Sequence, residues 1–286
     1  MKRLAIILGS VLVAVPAAAQ TPYAWSEPTP PFRIGENLYY VGTEGISVFL
    51  ITTPKGHIVV DGAMPTSAPL IEASIRRLGF DPRDVKILLN THAHFDHAAG
   101  LAQLKADTGA VLAASAADRP ALESGKYIGS EEVKAFDFAP VKVDRVIADG
   151  ETVSLGGVTL TAHLTPGHTA GCTTWTFPVT IDGASRQAMI YCSTSVAANR
   201  LVSKSRGPQY PNIVADYRAS FARLKTLKAD VLLAPHPEQF NLADKRRRLA
   251  AGGPSPFVDP AELGKAVAAS EADFEKQLAR QKEAAR

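Results

Sequence analysis

The chain has 286 residues, 46% of them hydrophobic, with 31 basic against 28 acidic side chains and a formal net charge of +3. So even a balance excludes the concentrated positive field that nucleic acid or an anionic membrane surface selects. Two cysteines are too few for a disulfide scaffold, so burial must supply the stability, which a single domain of this length can provide.

Met1 to Ala19 opens with Lys2 and Arg3, runs apolar from Leu4 to Val15 and closes on three alanines, the pattern of a cleaved secretory leader. Export to the periplasm is expected, and the apolar run is short for a membrane span. Cleavage leaves 286 − 19 = 267 residues and, with Lys2 and Arg3 gone, lowers the formal charge from +3 to +1. Residues 20 to 36 carry Pro22, Pro28, Pro30 and Pro31 and read as a tethered arm bearing Tyr23 and Trp25. Strand-like runs follow at Leu38 to Val41, Ile46 to Thr52 and His57 to Val60, an antiparallel meander broken by glycine and by Pro54-Lys55-Gly56. From Pro69 to Gly79, Leu70, Ile71, Ser74, Ile75 and Leu78 share one face at helical spacing.

Val85 to Leu89 is again strand-like and leads into Asn90-Thr-His-Ala-His-Phe-Asp-His-Ala-Ala-Gly100. Three of the chain's seven histidines, with Asp96, fall in this one stretch, a density that metal binding explains best. His92 and His94, two apart on an extended segment, project to the same side and can share one ion. Asp96 and His97 follow as the chain turns into a helix expected from about Ala98, and suit a second ion. Imidazole and carboxylate donors suit zinc, and three protein ligands with an open position mark a catalytic site. Asp61, ending the strand Ile58 to Val60, is either a turn former or an outer partner that fixes a histidine tautomer.

Beyond this stretch, Leu101 to Lys105 continues a helix closed near Gly109, and Ala110 to Ala113 is a short strand. Glu123 to Pro140, with Tyr127, Phe136 and Phe138, reads as a loop beside the site or a surface excursion. Val146 to Leu164 is strand-like and delivers His168; Thr173 to Phe177 and Ala188 to Tyr191 make a hairpin whose turn lies near Asp182-Gly183. Cys172 and Cys192 flank it, and a disulfide between them is left open. Asp216 to Leu227 is helical, Val231 to Leu233 a strand followed by His236, Lys245 to Arg248 a solvated helix face, and Pro260 to Arg280 a closing helix. His57 and His163 read as surface or core histidines. The order, strands then helix twice over with each ligand just past a strand, fits two sheets covered on their outer faces by helices.

His92-x-His94-x-Asp96-His97, Thr165-Pro-Gly-His168-Thr169 and His236 after Val231-Leu-Leu233 together resemble the metallo-β-lactamase superfamily over nearly all of the mature chain. The resemblance implies an α/β fold, the αβ/βα four-layer sandwich, as one metallo-hydrolase domain over residues 20–286. It assigns His92, His94 and His168 to a first zinc and Asp96, His97 and His236 to a second, two Zn2+ in all. Glyoxalase II and most lactonase members carry an Asp bridging both metals after the strand that here reads Ala188 to Tyr191, and this chain offers none. Ser193 falls instead where subclass one of the class B β-lactamases has a metal-binding Cys, and with His97 present the pattern resembles subclass three. A slip of one residue would place Cys192 there. By the same resemblance Ser193 and Ser195 contact the substrate carboxylate, and Trp25 matches an aromatic residue that leans over the active site. Tyr210-Pro211 and Asp216 to Phe221 are similar to the same subclass.

The resemblance implies a zinc-dependent β-lactamase that opens the lactam of penicillins, cephalosporins and carbapenems with zinc-bound hydroxide, Asp96 orienting it, and so confers antibiotic resistance. The alternative is a secreted dizinc lactonase or other hydrolase of the same fold. The expected partner is a small β-lactam, with no nucleic acid, no membrane after leader cleavage, and a monomer by default.

Overall fold

The computed structural model describes residues 22–286; the leader assigned to residues 1–19 lies outside them. After a single turn at Tyr23–Trp25 come β1 (Phe32–Gly35), β2 (Leu38–Tyr40), β3 (Phe49–Thr53), β4 (Gly56–Val60), α1 (Ala68–Arg77), β5 (Val85–Leu89), α2 (Phe95–Ala98), α3 (Leu101–Thr108), β6 (Val111–Ser115), α4 (Arg119–Ser124) and β7 (Arg145–Ile147). The second half holds β8 (Thr152–Leu155), β9 (Val158–Leu164), β10 (Thr173–Ile181), β11 (Ala184–Ile190), α5 (Ile213–Leu224), β12 (Val231–Leu233), α6 (Leu242–Ala251) and α7 (Glu262–Ala284).

Strands β1 to β7 form one sheet in sequence order, antiparallel from β1 to β4 and parallel from β4 to β7. The second sheet runs β12-β11-β10-β9-β8, antiparallel except for β11 beside β12. Period-two alternation divides the core. Phe49, Ile51, Ile58 and Val60 join Trp175, Phe177 and Val179 of the other sheet, while Leu50, Val59 and Leu88 face outward onto Ile71 and Ile75 of α1 and Leu101 and Leu104 of α3. Ser67 gives α1 no side-chain cap. Burial of Ile71 and Ile75, worth about 1.5–3 kcal/mol each, outweighs the roughly 1 kcal/mol that a cap would add, so packing holds this helix. On the far side α5 and α7 meet through Phe221 and Phe274, ring centroids 5.6 Å apart, completing a four-layer αβ/βα sandwich.

The β10–β11 hairpin is longer than the sequence suggests. Its register runs to Ile181 opposite Ala184, with Asp182 and Gly183 both at positive φ, the tight turn that matches strand twist. Its two ends are joined by a Cys172–Cys192 disulfide, Cα atoms 5.8 Å apart, which resolves the pairing left open by spacing alone. Two expectations are corrected. The helix after the histidine stretch starts at Phe95 rather than near Ala98, because His94 stays extended and its carbonyl accepts the Ala98 amide at 2.8 Å, closing a turn that contains Asp96 and His97. The run Lys245 to Arg248 is not a uniformly solvated face. Lys245 is 4% exposed and paired with Glu262 at 2.6 Å, its ammonium over the rings of Phe240 and Phe257, and Arg246 reaches Thr29 at 2.7 Å.

Candidate metal centre

Strand ends deliver the chemistry to one place: His92 and His94 follow β5, His168 follows β9 and His236 follows β12. Two triads result, His92 with His94 and His168, and Asp96 with His97 and His236, each with donor atoms within 4.8 Å of one another. His94 Nδ1 lies 3.0 Å from His168 Nε2. In the other triad His97 Nε2 is 3.1 Å from His236 Nε2, and Asp96 Oδ2 is 3.2 Å and 3.4 Å from the two imidazoles.

The donors fit a cation. His92 Nε2 is buried without a partner in a cluster of five further side chains of ligand type. Burial holds the His92 and His94 imidazoles well below their usual range and His168 down to about 4, so all three present neutral lone pairs. Burial alone would raise Asp96, but His97 and His236 beside it hold its carboxyl well below the carboxylate range.

Neighbouring groups fix the rings. Thr91 Oγ1 donates to Asp61 Oδ2 at 2.7 Å, so it accepts from His92 Nδ1 at 3.0 Å and leaves His92 Nε2 for a metal. Asp61, at φ 69°, also accepts from the Asn90 side chain and the Thr91 amide, and burial pushes its carboxyl up to about 6. It therefore acts on His92 through Thr91 and touches no histidine directly. His168 Nδ1 donates to the Ser195 carbonyl at 2.7 Å, which also accepts from Tyr217 of α5 at 2.7 Å. Gly167, at φ 145°, lets the chain pass the Tyr217 ring, which a Cβ would approach to 2.7 Å.

Ser193 and Ser195 face one another with Oγ atoms 3.3 Å apart; Ser193 is buried and Ser195 half-buried. Trp25 sits over His236, centroids 5.3 Å apart, and beside Phe95 at 6.2 Å, while Tyr23 next to it is 82% exposed. The arm is held there by the Thr43 hydroxyl donating to the Trp25 carbonyl and by the Gly45 amide donating to Ala24. The 123–140 segment does lie beside the centre: Tyr127 packs on His94, and Phe136 stacks on Phe95 at 5.3 Å.

Asp118 is absent from the sequence reading. Fully buried after β6, it accepts from the Ala93 amide at 3.0 Å, the Thr169 hydroxyl at 2.9 Å and the Gly171 amide at 3.0 Å, tying the His92–His94 loop to the His168 loop. The one available signal was its position past a strand at the same sheet edge as the ligands.

A sequence model of the metallo-beta-lactamase superfamily matches residues 41–179. The chain is 46% identical to BJP-1, a subclass B3 metallo-beta-lactamase of Bradyrhizobium japonicum, with a TM-score of 0.89 over 92% of this chain and 99% of that one. It is 40% identical to the FEZ-1 metallo-beta-lactamase from Legionella gormanii, with a TM-score of 0.86 over 91% and 99%. A hydroxyacylglutathione hydrolase of Acidiphilium cryptum is 28% identical over 186 residues, 65% of this chain, and the chain spans 60% of that relative's length. The chain belongs to the metallo-β-lactamase superfamily and is a hydrolase of that superfamily, similar in structure to its subclass B3 β-lactamases.

Proposed function

We infer that the protein is a dizinc β-lactamase hydrolysing penicillins, cephalosporins and carbapenems. The observation that carries this reading lies at the end of β11. There Ser193 stands where a bridging Asp would be expected in a glyoxalase II-type hydrolase, and Cys192 is locked to Cys172 and has no thiolate to offer a metal. Two separate triads with no bridging carboxylate are the arrangement the subclass-three resemblance implies.

On this reading His92 Nε2, His94 Nδ1 and His168 Nε2 hold one zinc, and Asp96, His97 Nε2 and His236 Nε2 the other. An ion held there would supply a bound water acidic enough, with a pKa of about 7, to furnish hydroxide at neutral pH, and would polarise the lactam carbonyl. The chain's own groups then position the reactants. Asp96 would give one carboxylate oxygen to the ion it shares with His97 and His236, which leaves the other to accept a hydrogen bond from the attacking water. The hydroxyls of Ser193 and Ser195 bind the substrate carboxylate, and Trp25 with Phe95 supplies an apolar wall beside His236. Export to the periplasm rests on the composition of residues 1–19, and action there on a small antibiotic needs no macromolecular partner; no helix among the described residues is long and apolar enough to cross a membrane.

The test is hydrolysis of a carbapenem and a cephalosporin by the purified mature protein, with and without a zinc chelator, beside a lactone and a hydroxyacylglutathione thioester. Chelator-sensitive lactam opening is expected. Zinc-loaded protein that leaves lactams intact would overturn the reading, and lactone or thioester cleavage in the same assay would put the alternative hydrolase in its place.

A further inference from the structure

Two of the three imidazoles in the first triad are oriented by hydrogen bonds through their outer nitrogens, His92 by Thr91 and His168 by Ser195. His94 is different. Its Nδ1 faces the metal position, and its Nε2 has no hydrogen-bond partner among the described residues. What lies against it is the ring of Tyr127, centroid 4.6 Å away and tilted by 40°.

Tyr127 is itself held. Its hydroxyl donates to Asn199 Oδ1 at 2.8 Å, and Asn199 Nδ2 donates to the His168 carbonyl at 2.8 Å. One amide thus couples the ring that backs His94 to the backbone that carries His168. We propose that Tyr127 and Asn199 are positioning residues of the first metal site, setting the angle between the His94 and His168 imidazoles without ligating the ion; this rests on reading His92, His94 and His168 as one triad.

Both ends of the bridge are anchored to distant parts of the chain. Arg200 donates to Ser130 Oγ at 2.9 Å and to the Gly129 carbonyl, and Gln209 Nε2 donates to the Ile128 carbonyl at 2.7 Å, pinning the segment that presents Tyr127. Gly129 is required for that approach, since a Cβ there would lie 2.0 Å from the Gln209 carbonyl. On the other side Gln281 of α7 donates to the Asn199 carbonyl at 3.0 Å and accepts the amides of Leu201 and Val202 at 2.7 Å and 3.2 Å. Packing alone does not fix the rings. A cavity of about 40 Å3, lined by Tyr127, Asn199, His94 and His168 together with Asp118 and Tyr210, gives them room to swing once the bridge is cut.

Tyr127→Phe removes the hydroxyl and keeps the ring. Asn199→Asp keeps the acceptor for Tyr127 and replaces the donor to His168 with a second acceptor. The mature protein and both variants are titrated with zinc against a chromophoric chelator, and their cobalt(II)-substituted forms are compared by visible absorption. Each variant is expected to lose about 10-fold or more in affinity for the first ion and to shift its cobalt spectrum, with the Tm of the metal-free protein within about 2 °C of wild type. Wild-type affinity and an unshifted spectrum in both variants would overturn the proposal. Wild-type protein that opens no lactam while the variants still bind metal more weakly would remove the proposed function and support this inference.

Discussion

Replacing Lys245 by methionine removes one half of an ion pair that is almost wholly inside the protein. The Lys245 and Glu262 side chains are 5% and 12% exposed, with Nζ 2.6 Å from Oε2. Burial lowers the Lys245 pKa and raises that of Glu262, so for each group the desolvation of the charged form exceeds what its partner returns. The sign follows: a lowered lysine and a raised glutamate both mean that ionising the pair at neutral pH makes the folded state less stable, relative to the unfolded chain, than a neutral pair would. Lys245→Met strands Glu262 as an uncompensated charge at a cost of about 3–5 kcal/mol. For the 265 described residues this is a fall of about 5–9 °C in Tm at an unfolding entropy of roughly 2.1 cal/mol/K per residue. The double variant Lys245→Met, Glu262→Leu removes both charges and places apolar groups beside Phe240 and Phe257, so it is expected within about 1 kcal/mol of wild type or more stable. Urea unfolding of the four proteins at pH 7 gives the coupling energy directly. A single variant costing less than about 1 kcal/mol, or a double variant as unstable as the two singles added, would refute the reasoning.

Three further outcomes are expected. Asp118→Asn turns one acceptor into a donor facing either the Ala93 amide or the Gly171 amide; it should cost about 2–4 kcal/mol and weaken zinc affinity about 10-fold or more, read by chelator competition. Replacing both Cys172 and Cys192 by alanine opens a loop with a sequence separation of 20 and should cost about 3 kcal/mol by denaturant unfolding, against the oxidised wild type. Gly167→Ala, at φ 145° and against the Tyr217 ring, should destabilise by about 1–3 kcal/mol and weaken zinc affinity by moving His168; unchanged Tm and affinity would count against the close approach described.

The clustering of donor side chains was legible because the information is local. Four ligand-type side chains in six positions, with period-two spacing for His92 and His94 after an apolar strand, need no tertiary contact to be recognised. The sandwich was legible from the order of elements, strands then helix twice over, and from strands apolar at successive positions such as Phe49 with Leu50 and Ile58 with Val59, which must be covered on both faces. Lys245 shows where such reading fails. Within Lys-Arg-Arg-Arg nothing distinguishes the one residue that points at Glu262 seventeen positions on from those that face water.

By itself the sequence determined the succession of strands and helices, the placing of each donor just past a strand, and the identity of the clustered donors, because hydrophobic pattern and residue type act over a few neighbours; the order of strands within each sheet came from the tertiary structure. Only the tertiary structure decided which outer groups hold those donors. Asp118 meets Ala93 and Gly171, Tyr127 meets Asn199, and Gln281 meets the Asn199 loop across separations of 25 to 82 residues. A buried hydrogen bond is specified by the three-dimensional position of both partners, and no local pattern in either segment encodes the other.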